Sequence, residues 1–172
     1  AEHFAFLGPT ASCRSMKHRT TFYEALTRLL TSDLNEDDEI FSHFMAPLND
    51  SVRQIIEAFS TGTAVNHAQL KNAIIGLCRD IRGIAIACTT KMLFQILFDW
   101  MFPDVFAVML RAIETWPSDN EVTTPVFRLL SELSQNRQQR LKFEMSSCSA
   151  VLLFREISKA IVAYGTRCGS TA

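Results

Sequence analysis

The chain has 172 residues, 48% of them hydrophobic and 20% charged, with a formal net charge of -1. That is the profile of a globular segment, not of a disordered one, and its charge balance carries no signature of binding nucleic acid or acidic substrates. The most apolar stretch, residues 83–110, is interrupted by Lys91, Asp99, Pro103 and Asp104, so no run of the ~18 uncharged residues that a membrane helix requires is expected.

Ala1 stands first, and residues 1–7 lack the basic start and apolar run of a signal peptide, which reads as a piece of a longer polypeptide. Periodicity then gives helices throughout. Between residues 15 and 31, Phe22, Leu26, Leu29 and Leu30 fall on one stripe and predict a core face. Asp33, Glu36, Asp37, Asp38 and Glu39 make an acidic turn that suits a helix start. It precedes a segment with Ile40, Phe44, Leu48, Val52, Ile55, Ile56 and Phe59, which Pro47 is expected to kink or split. Asn66 and Gln69 form a capping-box pair ahead of the strongest stripe, Leu70, Ile74, Leu77, Ile81 and Ile84. On that segment Gly76 and Gly83 lie seven residues apart and would permit close helix contact.

A fourth helix is predicted over 90–102, with Leu93, Ile96, Leu97, Trp100 and Met101, and Pro103 opens a fifth that carries Val105, Met109, Leu110 and Ile113. The turn at 117–120 leads to a helix over 124–134 with Val126, Phe127, Leu130 and Leu133 inward. A loop with a short packed insertion covers 136–147. A last helix, 149–165, carries Leu152, Leu153, Ile157 and Ile161, with Gly165 as its C-terminal cap. No segment reads as strand. The predicted fold class is all-α, a HEAT- or armadillo-like α-solenoid of antiparallel helix pairs. Residues 1–172 form a single segment of about four units of the ~40–47 residues such repeats take. A closed helical bundle is the competing architecture.

The chemistry-bearing residues are dispersed. His3, His18, His43 and His67 sit in separate segments without the four-residue spacing of paired ligands, and no metal site is expected. Five cysteines (Cys13, Cys78, Cys88, Cys148 and Cys168) are an odd, scattered set, which argues for a reducing, intracellular setting. Cys78 and Cys88, ten helical steps apart, point about 80° away from each other and read as buried thiols. No phosphate loop, nucleophile elbow or kinase signature occurs, so no catalytic, cofactor-binding or metal-binding residue is assigned and no cofactor is expected. The sequon at Asn49, Asp50 and Ser51 is idle in an intracellular protein.

Four charged or aromatic groups remain. The acidic cluster at 33–39, with Arg14, Lys17 and Arg19 nearby, reads mainly as a solvated helix start. Arg137, Arg140 and Lys142 lack the aromatic platform of a phosphate-binding patch. Phe94, Phe98, Phe102 and Phe106 read as core. Arg79, Asp80 and Arg82 lie within the strongest stripe and are positioned to pair between neighbouring helices.

The blocks HRTTFYEAL (18–26), LCRDIRGIA (77–85), LFDWMFP (97–103), TTPVFRLL (123–130), NRQQRLKFEMSS (136–147) and LLFREISK (152–159) resemble, in order, successive segments of the exportin-7 and Ran-binding protein 16/17 family of the importin-β superfamily. Several collinear blocks are more specific than any one motif. Departures at 60–68, 88–95 and 148–151 mark a divergent member. The resemblance implies the middle of a HEAT-repeat nuclear export receptor that carries protein cargo with GTP-bound Ran and shuttles between nucleus and cytoplasm past nuclear pore proteins. It implies no enzyme activity, no nucleic-acid partner and no membrane insertion. Principal Ran contacts in that superfamily belong to N-terminal repeats, so no Ran-binding residue is carried over and cargo-binding residues are unknown; the 33–39 cluster is a candidate cargo contact. The alternatives are an α-solenoid interaction scaffold without a transport role and a helical enzyme.

Overall fold

The computed structural model describes residues 2–8, 11–12, 15–33, 38–61, 67–135, 137, 140–141 and 148–169. Among these the regular structure is entirely helical, consistent with the α-solenoid class. The contacts gather into two compact units, Ala1–Ala87 and Cys88–Ala172.

The first unit holds two short 3-10 helices, Glu2–Leu7 and Ser15–Lys17, followed by α1 (His18–Asp33), α2 (Asp38–Thr61) and α3 (His67–Ala87). All five residues of the predicted α3 stripe are buried, together with Ile75, Cys78 and Ala85, so α3 is covered on most of its circumference. It packs chiefly on α1 and also on α2. The close approach expected at the glycines is present. A Cβ on Gly83 would land on the carbonyl oxygen of Thr20 and within 2.9 Å of the Glu24 backbone nitrogen, while one on Gly76 would lie 3.3 Å from the Arg19 guanidinium carbon.

That contact overturns the core face expected for α1. Leu29 is 69% exposed and Leu26 36%, whereas Arg19, Thr20 and Tyr23 face α3 and Thr27 is fully buried one turn further on. Backbone proximity at the glycines, not apolar area, selects the side of α1 that is covered. On α2 the buried line is Phe41, Met45, Leu48, Val52 and Ile55; Ile40 and Ile56 lie outward, and Phe44 and Phe59 are half-buried. The helix continues unbroken through Pro47, so the expected split does not occur. The acidic cluster and the Asn66 cap lie outside the described residues.

The second unit contains α4 (Lys91–Met101), α5 (Asp104–Thr115), α6 (Asn120–Ser134) and α7 (Ser149–Gly169). Thr90 caps α4, its hydroxyl oxygen accepting from the Leu93 N–H at 3.2 Å, and Pro103 stands immediately before α5 as expected. The buried face of α4 is Phe94, Leu97, Phe98 and Met101, rotated from the predicted line, in which Leu93, Ile96 and Trp100 are only half-buried. Phe98 stacks on Phe102 at 5.8 Å and meets Phe106 at 5.9 Å, which makes the phenylalanine run a core feature.

Two helix boundaries differ from expectation. α6 begins at Asn120, not near 124, because the Asp119 carboxylate accepts from the Glu121 N–H at 3.0 Å and caps it four residues early, leaving Pro125 inside the helix. α7 runs through Gly165 to Gly169, so Gly165 is not a cap. α5 packs on both α6 and α7. The core of this unit centres on Leu97, Met101, Met109, Ile113, Leu129 and Leu133.

Candidate functional site

The histidines do not converge. His18, His43 and His67 are exposed on three different helices, and among the described residues no group of three or more His, Cys, Asp or Glu is placed to hold a metal ion. Cys78 and Cys88 are free and buried, and burial pushes each thiol up to about 12, so neither is a ready thiolate; Asp80 adds to the effect at Cys78, and Arg140 opposes it at Cys88. Among the described residues no single helix is long and apolar enough to cross a membrane.

The charges singled out on α3 do pair between helices. Arg19 of α1 donates from Nε to Asp80 Oδ1 at 2.7 Å and from Nη2 to Oδ2, forming a two-pronged bridge to a carboxylate that is 1% exposed. Its remaining nitrogen, Nη1, donates to the carbonyl oxygens of Phe6 and Leu7. Burial lifts Asp80 to about 6 even though the hydrogen bond and charge of Arg19 pull it down. Arg79 enters the same contact through its carbonyl oxygen, which accepts from the Thr20 hydroxyl at 3.0 Å. The pair is 61 residues apart, and no local pattern identifies Arg19 as the partner.

Of the three cations weighed as a phosphate patch, Arg140 is 4% exposed and therefore committed to the interior. It donates to the carbonyl oxygens of Glu132 at 2.7 Å, Gln135 at 3.2 Å and Cys88 at 3.2 Å, and its guanidinium lies 4.3 Å from the centre of the Phe94 ring. The buried Glu132 carboxylate lies 3.6 Å from Arg140 and 3.4 Å from Arg137. Burial lowers the Arg140 pKa, partly offset by Glu132, and the group stays cationic. The expected packed insertion is thus an arginine holding the end of α6 to the start of its unit. Lys142 lies outside the described residues.

The first unit also contains a cleft of about 480 Å³ between the start of α1, the second half of α2 and the first half of α3, with Leu7 and Gly8 at one side. Its apolar floor is Met16, Ile55, Leu70 and Leu77. The Arg19–Asp80 pair lies along it, and the carboxamides of Gln54, Gln69 and Asn72 stand on its walls. Because these side chains come from separate helices, the sequence alone did not reveal them as a group; Gln69 was read only as a capping partner.

No protein-family model and no solved structure matches the chain. Curated proteins do. Exportin-7-B of Xenopus laevis is 46% identical over 169 residues, 97% of this chain and 16% of that protein. Ran-binding protein 17 of Mus musculus is 47% identical over 169 residues, and Ran-binding protein 16 of Drosophila melanogaster 40% over 168, each alignment covering 97% of this chain and 15% of the relative. The chain thus spans about a sixth of the length of these relatives. Along 97% of its length it is similar to the exportin-7 and Ran-binding protein 16/17 family, the resemblance that its collinear blocks had indicated.

Proposed function

We propose that the chain serves as a stretch of about four HEAT-like repeats in a nuclear export receptor, contributing surface for protein cargo while repeats elsewhere in the longer polypeptide hold GTP-bound Ran. The observation that carries this reading is the 46% identity to an exportin-7 extending over 97% of the chain. Similarity confined to a repeat pattern would match apolar positions and leave surface residues free. The all-helical packing and the buried, inert thiols agree with a binding surface in which no residue is arranged for catalysis. Shuttling between nucleus and cytoplasm, with transient contact to nuclear pore proteins, follows from the same reading.

The test is nucleotide-dependent association of the longer receptor that contains this segment. Immobilised Ran loaded with a non-hydrolysable GTP analogue is expected to retain it, and GDP-loaded Ran is not. Equal retention on both, or on neither, points to a scaffold without a transport role.

A further inference from the structure

We propose that the cleft between α1, α2 and α3 docks an uncharged, extended peptide segment with an apolar anchor side chain, an inference that rests on the export-receptor reading only in naming cargo as the source of the segment. Charge complementarity selects the occupant. The charges at the cleft are Arg19 and Asp80, and they are spent on each other and on the carbonyls of Phe6 and Leu7. A charged ligand would lose its water there and gain no free partner. The unspent groups are the carboxamides of Gln54, Gln69 and Asn72, each offering donors and an acceptor, as a peptide main chain does. Below them lies the apolar floor of Met16, Ile55, Leu70 and Leu77, of which Met16, Ile55 and Leu77 are each 2% exposed. Gly76 leaves its stretch of α3 without a side chain, which brings the helix backbone to the cleft surface. A width of this order suits main-chain hydrogen bonding at the walls with one side chain inserted downward.

The probe is the pentapeptide Ser-Ile-Thr-Ile-Ser, acetylated and amidated so that it carries no charge, titrated into the isotopically labelled 172-residue chain and followed by amide NMR. Saturable millimolar binding is expected, with shifts confined to the side-chain amides of Gln54, Gln69 and Asn72 and the backbone near Ala73 and Gly76. Asn72→Leu is expected to weaken binding about threefold to tenfold, the worth of a lost neutral hydrogen bond. Ala73→Arg, at an exposed position on the wall, is expected to abolish it while leaving the rest of the spectrum in place. A peptide with glutamate for its first isoleucine is expected not to bind. Absence of saturable shifts, shifts elsewhere, or equal binding of the charged peptide or by the Ala73→Arg chain overturns the proposal. Because Ran takes no part, failure here leaves the nucleotide-dependent test untouched, and failure of that test leaves this one standing.

Discussion

Asp80 shows what a single buried carboxylate demands. Its folded pKa of about 6 lies above the ordinary 3.8, so the folded chain binds that proton more tightly than the unfolded chain does. Its contribution to stability is therefore complete below 3.8 and is lost as pH rises through about 6. Arg19→Met removes the group that pulls the value down, so the loss should extend to higher pH. Urea unfolding is expected to show a deficit of about 3–5 kcal/mol near neutral pH that shrinks on acidification, and a deficit constant with pH would contradict the role assigned to the pair. Gly83 makes the second residue-scale case. The neighbour its Cβ would strike is backbone, which cannot rotate aside, so Gly83→Ala should cost at least ~1–3 kcal/mol, read as a lowered thermal midpoint. The importance of Asp80 and of the glycine pair was legible because they interrupt an apolar stripe. Arg19 and Arg140 were not, since a cation that will be buried looks, in sequence, like one that will be solvated.

At the scale of elements, legibility followed the number of faces a helix covers. α3 is enclosed, so nearly every apolar position is buried and its stripe was correct throughout; Leu77→Ala should therefore cost about 2–5 kcal/mol by cavity formation, and an unchanged unfolding midpoint would show otherwise. α1 is covered on one narrow side by backbone contact, and its leucines, the strongest local signal, face outward. Ends were harder still. A lone Asp119 hydrogen bond moved the start of α6, and a glycine compatible with a cap sits inside α7. The cleft escaped detection because its polar groups are far apart in sequence and individually ordinary.

For the whole molecule, the helical class and the family likeness could be read from the chain, while the division into two contact units and the identity of the uncovered apolar side could not. Leu153 is buried, and the exposed stripe on α7 is instead Val151, Phe154, Ile161 and Val162, which share roughly 100° of the helix circumference. Phe154 is 67% exposed and Val162 63%, a large outlay of apolar surface for a single helix. The 172-residue chain alone should self-associate as concentration rises, and Phe154→Lys with Val162→Lys should return it to a monomer in sedimentation. A monomer without those changes would show that this face tolerates water.

The contact between α1 and α3 also has a consequence for synthesis. The first unit is closed by its first and last α-helices, and the residues that join them, Thr20 to Gly83 and Arg19 to Asp80, are some sixty positions apart. As the polypeptide leaves the ribosome, α1 emerges with its polar flank unmatched and two of its leucines facing outward, and it waits until α3 has followed. A nascent chain stalled with residue 61 just outside the exit tunnel should leave the α1 segment open to protease, whereas one stalled beyond residue 87 should protect it. Chaperone engagement, if it occurs, belongs in that interval.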